Sequence, residues 1–290
     1  MYLTGFADEA AADLAGQIRA TQELGWKYIE SRNIDGVNIH DLDDAAFDRA
    51  CGRLQDAGIA INCFGSAIAN WSKDIRKPMD ADLGQTRRAI ARMTRLNCKL
   101  IRIMSYAVIP DTPPEEQMAE ERFRRVRELT RRFLDAGIQP VHENCMNYGG
   151  MGWAFTLRLL ENVPGLKLVF DTGNPVFSAN RMLPEPCPAQ SPWEFYTKVR
   201  DHIAYVHIKD GYMLDGKAVY TWPGEGTGDV VCICRDLLAG GYDGGFSIEP
   251  HMGAVFHDPS VVTDADRRFA MYVEYGRRME RILESVKPRT

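Results

Sequence analysis

The feature that most restricts the fold of this chain is a regular alternation of short apolar runs with longer amphipathic segments. Short runs rich in β-branched and aromatic residues, separated by helical segments, are typical of parallel strands covered on both faces. Eight strand-then-helix units predict an α/β fold, a single (β/α)8 TIM barrel domain over residues 1–290. The eight runs are residues 2–6, 27–31, 60–65, 99–104, 138–143, 166–171, 203–208 and 244–249.

The segments between the runs carry apolar residues at the spacing of an amphipathic helix, as Leu14, Ile18 and Leu24 do in the first segment. An open, doubly wound sheet is the alternative fold, but it would more often have five to seven strands and a glycine-rich first turn. The sequence has no such turn. Glycines suited to the left-handed turn that ends a helix follow four of the segments. They are Gly25, Gly58, Gly137 and Gly241.

Two connections are too long to be simple turns. Residues 174–192 are rich in proline and predict an irregular loop. Residues 211–228 contain Asp215-Gly216 between two short runs, which predicts a β-hairpin. Both connections follow strands, so we expect them at the end of the barrel where TIM-barrel enzymes place their chemistry.

Composition restricts the partners and the location of the chain. The net charge of -5 disfavours a nucleic-acid partner, and we interpret the arginine-rich segment 122–132 as a solvated helix face. The start of the chain lacks a secretory-signal pattern, and no stretch approaches the ~18 apolar residues that span a bilayer. The seven cysteines form no Cys-x-x-Cys pair, which indicates reduced thiols. We therefore expect a cytoplasmic protein with no membrane partner.

The ends of the last four predicted strands are charged or carry an imidazole. Glu143, Asp171, His207 and Glu249 follow the apolar parts of runs five to eight. In a barrel these positions point into one bowl. Three carboxylates and an imidazole held so close would repel one another and lose solvation, and a divalent cation resolves that conflict. The oxygen-rich set favours Mn²⁺, with Mg²⁺, Co²⁺ and Zn²⁺ also compatible.

Each of these residues has a structural alternative when it is taken alone. Glu143 can be a buried carboxylate paired with an arginine, and Asp171 can be a helix cap, since Asp-Thr-Gly-Asn suits a turn. His207 can be a core histidine with a satisfied ring. A purely structural interpretation must explain four polar strand ends at once, and their joint occurrence therefore favours a metal site.

Residues near these strand ends are further candidates for substrate contacts. Trp71 can form a wall for a sugar face or cover the barrel mouth as a core residue. Lys209 can bind a phosphate or hydroxyl group, or pair with the neighbouring Asp210. We interpret Glu225, in the Pro-Gly-Glu-Gly turn, as a structural residue that fixes its loop beside His207.

Several motifs together resemble the xylose isomerase-like superfamily of sugar phosphate isomerases and epimerases, which includes ketose 3-epimerases and inosose dehydratase relatives. The likeness covers the whole chain. It implies a metal held by Glu143, Asp171, His207 and Glu249, with the two glutamates as the acid–base pair. It also implies substrate contacts by Asn144 and by Asn174, and a homo-oligomer. The motifs are VHEN (141–144), FDTGN (170–174), YVHIKD (205–210), WPGEG (222–226) and SIEPH (247–251).

The first functional hypothesis is a metal-dependent isomerase or epimerase that moves a proton through an enediolate of a small sugar or sugar phosphate. This sequence departs from the ketose 3-epimerase pattern at Asn174, where those enzymes carry a histidine. It departs again at residues 209–213, which lack their arginine. A ketohexose is therefore not the obvious substrate.

The second hypothesis is a lyase or dehydratase for an oxidised sugar or inositol, acting by 3-oxo-glycoside β-elimination or inosose dehydration. His142 or His251 would be its base, although His142 neighbours Glu143 on the strand and should face the opposite way. An apurinic-site endonuclease shares the fold but needs more histidines at the ends of strands one to four. A non-enzymatic sugar-binding barrel is disfavoured because both candidate catalytic glutamates are present.

Overall fold

The computed structural model describes residues 1–255 and 258–288, and its centre is one eight-stranded parallel sheet curved into a barrel. Neighbouring strands follow the order β1-β8-β7-β6-β5-β4-β3-β2, and a parallel bridge from Phe6 to Glu30 joins the two outermost strands. The predicted TIM barrel is confirmed. The strands are β1 Tyr2–Gly5, β2 Tyr28–Ser31, β3 Ala60–Gly65, β4 Leu100–Ile103, β5 Gln139–Glu143, β6 Lys167–Asp171, β7 Ile203–Ile208 and β8 Gly245–Ile248.

Helices surround the sheet and bury one apolar side each against it. The Asp13 side chain caps the first helix by accepting from Gly16 N at 2.9 Å, and Asp43 caps the second in the same way. The four predicted helix-ending glycines all have positive φ, as that role requires. The helices are α1 Leu14–Glu23, α2 Asp44–Ala57, α3 Asp80–Leu96, α4 Ala119–Asp135, α5 Trp153–Asn162, α6 Asn174–Phe177, α7 Pro192–Val199, α8 Val230–Ala239 and α9 Ala265–Val286.

The barrel interior contains an uncharged layer near the middle of the strands. Cys63, Val141, Val169 and Tyr205 pack together there, separately from the larger core between sheet and helices. Alternate residues of a strand share a face, so the side chains two positions further along also point inward. This geometry fixes the level at which functional side chains can enter the barrel.

The two long connections differ in how well they match the prediction. The hairpin is confirmed, with antiparallel strands Gly211–Leu214 and Lys217–Tyr220 and positive φ at both residues of the Asp215-Gly216 turn. The prediction of an irregular loop is wrong for the first residues after β6, which form α6. Proline at the second position of α6 suits a helix start, because it needs no backbone donor there.

The arginine-rich segment of α4 is not uniformly solvated, and that prediction is wrong for two of its members. Arg122 is fully buried, and Arg125 is nearly so. The Arg122 guanidinium donates to the carbonyl oxygens of Ser105 at 2.6 Å and Ala107 at 2.8 Å. It thus satisfies carbonyl oxygens of the loop after β4.

Among the described residues, no helix combines the length and the apolar composition needed to cross a bilayer.

Candidate metal centre

The four predicted ligands meet at the carboxyl end of the barrel. Glu143 and Asp171 are the last residues of β5 and β6, His207 is the penultimate residue of β7, and Glu249 directly follows β8. The first three lie two positions after Val141, Val169 and Tyr205, and therefore stand on the uncharged interior layer.

The geometry of the four side chains fits one cation. All four are buried, and one ligand atom from each lies within 4.8 Å of the others. Ligands about 2.0–2.2 Å from a shared ion can be no more than about twice that distance apart, so little movement is needed. Asp171 and His207 are direct register partners on neighbouring strands, and His207 Nδ1 lies 3.6 Å from Glu143 Oε1.

Glu30, at the end of β2, sets the orientation of the His207 ring. Glu30 Oε2 lies 3.0 Å from His207 Nε2 and also accepts a 2.6 Å hydrogen bond from Ser247 Oγ. The other ring nitrogen, Nδ1, is buried with no hydrogen-bond partner. A carboxylate behind the imidazole is the usual support of a metal-bound histidine, because it leaves the opposite nitrogen free to coordinate.

The pKa values of the cluster show that its negative charge favours bound protons, which a cation would replace. Burial opposes the charged imidazole, but the carboxylates of Glu30 and Glu143 raise the pKa of His207 to about 10. Burial raises the pKa of Asp171 to about 6, despite the opposing effect of Lys209. A proton is thus retained where a cation could bind, as expected for a site rich in negative charge.

Three cations beside the cluster neutralise the two glutamates. Arg102 Nη1 lies 3.0 Å from Glu143 Oε2, while Arg32 Nη1 lies 2.9 Å from Glu249 Oε1. Lys209 Nζ lies 2.8 Å from Glu249 Oε2. Although burial opposes ionisation, Arg102 and His207 hold the pKa of Glu143 at about 2, and Lys209 together with Arg32 helps to hold that of Glu249 well below its usual range. Both glutamates are therefore ionised and able to bind a metal.

Lys209 does not pair with Asp210, which was its structural alternative. Its ammonium group contacts Asp171 Oδ2 at 3.1 Å as well as Glu249. Asp210 instead accepts from the backbone nitrogens of Gly224 at 2.8 Å and Gly228 at 2.9 Å. This carboxylate fixes the loop beside β7.

Glu225, the residue predicted to fix that loop, ties it to α9 by an ion pair with Arg278, although its side chain is 56% exposed.

A pocket opens above the cluster, and three of the predicted substrate contacts line it. They are Trp71, Asn174 and Lys209. Asn174 Nδ2 also donates to Glu143 Oε1 at 3.0 Å, so it both borders the pocket and holds a candidate ligand. Asn144 is placed differently. Its Oδ1 accepts a hydrogen bond from the backbone nitrogen of Asp171 at 2.7 Å, and its Nδ2 donates to the carbonyl of Asp171 at 3.0 Å. It positions β6 and is not part of the pocket lining.

The two candidate histidine bases face different environments. His142 is buried on the other side of β5, where its Nε2 lies 3.0 Å from Ser105 Oγ. His251 lines the pocket, and its Nε2 lies 3.9 Å from Glu249 Oε1. Glu9 holds His251 at two points, with Oε1 2.9 Å from Nδ1 and Oε2 accepting from the backbone nitrogen at 2.8 Å. Only His251 of this pair is placed to reach a molecule in the pocket.

Sequence reasoning missed the supporting role of Glu30 and the whole of Arg102. Arg102 had a readable signal, because it is a charged residue within the apolar run of β4. Glu30 was visible as a polar strand end, but its partner His207 is 177 residues away in the sequence. Pairing of that kind depends on the closed barrel and cannot be read from local spacing.

Comparison with known proteins agrees with the barrel fold. The family model described as xylose isomerase-like TIM barrel matches residues 18–270, and the chain therefore belongs to that family. No curated protein sequence matches the chain.

Three solved structures illustrate the range of similar barrels. The IOLI protein, crystallised with a zinc atom, is 15% identical, with a TM-score of 0.75 and 100% of both chains covered. The D-psicose 3-epimerase of Clostridium cellulolyticum H10, crystallised with D-tagatose, is 18% identical, with a TM-score of 0.69 and coverage of 98% of this chain and 99% of that one. The probable 3-DHS dehydratase AsbF of Bacillus anthracis is 14% identical, with a TM-score of 0.66 and coverage of 94% and 97%. At these identities the likeness shows the shared fold alone.

Proposed function

We propose that this chain is a divalent-metal-dependent isomerase or epimerase that acts on a small carbohydrate by proton transfer through an enediolate. The observation that carries the proposal is the cluster of Glu143, Asp171, His207 and Glu249, whose ligand atoms lie within 4.8 Å of one another below an open pocket. A bound cation would supply Lewis-acid stabilisation of the oxygen that becomes negative.

The two glutamates are suited to moving the proton. Glu143 and Glu249 stand on strands separated by β6 and β7, so they reach a molecule in the pocket from different sides. Each carboxylate is held by two donors: Arg102 and Asn174 hold Glu143, while Arg32 and Lys209 hold Glu249. One glutamate would remove the proton next to the carbonyl, and the other, after taking up a proton from water, would deliver that proton to the opposite face; exchange with water would then restore both carboxylates.

Lys209 gives the pocket a positive charge beside the reacting oxygens. Its ammonium group already contacts Asp171 and Glu249, which places it next to any oxygen that the metal ligands surround. There it can donate to a substrate hydroxyl and stabilise the enediolate charge. Trp71, at the pocket edge, offers an apolar surface for a sugar face.

The metal that we propose is Mn²⁺, because three of the four ligands are carboxylates. Mg²⁺, Co²⁺ and Zn²⁺ are compatible alternatives, and the similar IOLI protein was crystallised with zinc. Reconstitution of chelator-treated protein with each ion, followed by activity measurement, would rank them.

Proton exchange in D₂O tests the proposed reaction. The Mn²⁺-loaded protein is incubated with ketoses and ketose phosphates, and the recovered sugars are examined by NMR. We expect deuterium at C1 or C3, lost in Glu143→Gln and in Glu249→Gln. The exposed Glu225→Gln is the matched control and should retain exchange. Absence of exchange from every sugar would contradict the proposed reaction.

A second candidate function is a lyase on an oxidised sugar or inositol, and the position of His251 favours it. With Nδ1 held by Glu9, the ring presents Nε2 toward Glu249 and the pocket, where it can act as the base of the elimination. We expect this reaction to release the aglycone of a 3-oxo-glycoside or to dehydrate an inosose. Loss of product release in His251→Gln, with ketose exchange absent in the wild type, would favour the lyase.

We also propose that the chain acts as a homo-oligomer in the cytoplasm, without a nucleic-acid partner. Met213 and Leu214, at the tip of the hairpin after β7, are 44% and 54% exposed, and self-association would cover such side chains. Light scattering coupled to size-exclusion chromatography measures the mass directly. A mass of 32.7 kDa would contradict the oligomer.

A further inference from the structure

A second cavity lies directly beside the metal pocket, and we call it the annex. The two cavities share Trp71, Cys145 and Met146 as a common wall. The annex has a cavity volume of about 290 Å³, compared with about 60 Å³ for the metal pocket. A volume of about 300 Å³ is the lower end of the range for small-molecule sites. The two cavities are therefore adjacent, and a molecule bound at the metal centre lies next to the annex.

The annex differs from the metal pocket in chemistry. The metal pocket is lined by two glutamates, two arginines, a lysine and a histidine, whereas Arg181 is the one charged side chain among the described residues of the annex. Val108, Met151 and Phe177 contribute apolar surface. The amide of Asn147 is already used, since it accepts from Ser105 Oγ at 2.7 Å and donates to the Glu143 carbonyl at 3.0 Å.

The annex is fixed by hydrogen bonds between the loops that follow β5 and β6. Gln190 Nε2 donates to the carbonyl of Gly150 at 2.7 Å, and the backbone nitrogen of Arg181 donates to that of Met151 at 2.9 Å. Gln190 N also donates to the carbonyl of Ser178 at 3.1 Å. The first two bonds join the two loops and the third braces the second loop internally, so the protein's own hydrogen bonds hold the walls of the annex together.

Met146 marks the junction of the two cavities. It is 50% exposed, although its neighbours Cys145 and Asn147 are buried. The backbone nitrogen of Asn147 donates to the carbonyl of Cys145 at 2.6 Å, and this tight turn directs the side chain between them outward. A flexible, polarisable methionine exposed at a junction is well suited to contact a ligand that passes from one cavity to the other.

We propose that the annex is a subsite for an apolar, ring-sized substituent carried by the carbohydrate substrate. One molecule would place its carbonyl and hydroxyl oxygens at the metal centre and its substituent between Trp71, Met146 and Phe177. This inference rests on the proposed function, because it takes the metal pocket as the place of the sugar. It specifies a substrate larger than a free monosaccharide.

Binding of two matched glycosides tests the subsite separately from the reaction. The probes are phenyl and methyl β-D-glucopyranoside, added to the metal-loaded full chain with ¹³C-methyl-labelled methionine. Neither probe has a carbonyl group, so neither can form an enediolate and NMR reports binding alone. We expect the phenyl glycoside to bind about tenfold more tightly, because it buries a ring, and to shift the methyl signals of Met146 and Met151.

Substitutions at the annex should remove this preference. Ala179→Trp places a large side chain in the cavity from its exposed rim and should bring the affinity ratio close to one. Val108→Phe is a second, smaller filling substitution. Ala218→Trp, an exposed alanine on the hairpin after β7, is the matched control and should keep the ratio.

Each outcome of this experiment decides the question. Equal affinities for the two glycosides in the wild type, or phenyl binding that leaves Met146 and Met151 unshifted, would overturn the subsite. Deuterium exchange into simple ketoses decides the proposed function independently. Exchange without a phenyl preference overturns the subsite alone, whereas a phenyl preference without exchange supports the subsite and contradicts the isomerase.

Discussion

Two adjacent levels of the same barrel interior have opposite character. At the lower level, Val141, Val169 and Tyr205 pack as an uncharged layer, and two residues further along each strand stand Glu143, Asp171 and His207. Both levels are buried, yet only the lower one gains from burial. The upper level buries charges that stabilise one another poorly without a cation. Residues that stabilise the barrel and residues suited to bind a metal therefore lie only two positions apart along the same strands.

The largest expected effect is the loss of stability when a charged side chain is placed in the lower, uncharged level. Val169→Asp places a carboxylate in the apolar layer, where no cation is available to pair with it, and we expect a loss of at least about 4 kcal/mol of unfolding free energy. Urea denaturation measures this. Val37→Asp, at a position that is 42% exposed, is the control and should change stability by less than about 0.5 kcal/mol. A stable, soluble Val169→Asp protein would show that the two levels do not differ as described.

A smaller effect is expected when the support of the upper level is weakened. Glu30→Gln keeps the shape behind His207 but removes the charge that orients its ring. We expect metal affinity to fall about 10- to 100-fold, as for other residues that hold a metal-bound histidine. Calorimetric titration with Mn²⁺ gives the affinity, and Glu225→Gln serves as the control. An unchanged affinity would mean that Glu30 does not position the ligand.

The smallest expected effect is on the free energy of unfolding of the metal-free protein, which the buried charge of Asp171 lowers. Since the pKa of Asp171 is raised from 3.8 to about 6, its ionised form destabilises the folded protein. A shift of this size corresponds to no more than about 3 kcal/mol, and relaxation of neighbours should reduce it. We therefore expect Asp171→Asn to stabilise the metal-free protein by about 1–2 kcal/mol at pH 7, measured by urea denaturation with chelator.

The pH dependence of that gain has a definite sign. A carboxyl group with a raised folded-state pKa contributes stability that is present below pH 3.8 and is lost as pH rises through about 6. The advantage of Asp171→Asn over the wild type should therefore grow between about pH 4 and 6 and then level off. An advantage that shrinks over this range would contradict the assigned origin of the shift.

Much of the barrel could be predicted from sequence, because strand alternation and helix periodicity are local. The apolar runs gave all eight strands, and the residue that ends each of runs five, six and eight was a candidate ligand. The partners of the buried polar groups could not be predicted in the same way. Arg122 was assigned to solvent because its helix face looked charged, whereas the carbonyls that it bonds belong to the loop after β4. Which polar groups become partners depends on long-range closure of the fold.

The same limit applied to the loop beside β7. Its acidic residue Glu225 looked like the structural one, but Asp210 accepts the backbone donors of that loop. Both carboxylates lie in glycine-rich or turn sequence, and local spacing does not distinguish them. Which carboxylate bonds the backbone of the loop depends on the direction of its side chain, and the barrel sets that direction.

The most direct test of the central claim is a titration of chelator-treated protein with Mn²⁺, followed by electron paramagnetic resonance. We predict one tightly bound ion per chain, with nitrogen hyperfine coupling from the His207 imidazole. That coupling should disappear in His207→Gln, and tight binding should be lost in Asp171→Asn while Glu9→Gln retains it. Absence of tight binding, or binding that survives both ligand substitutions, would contradict a metal centre at the upper level of this barrel.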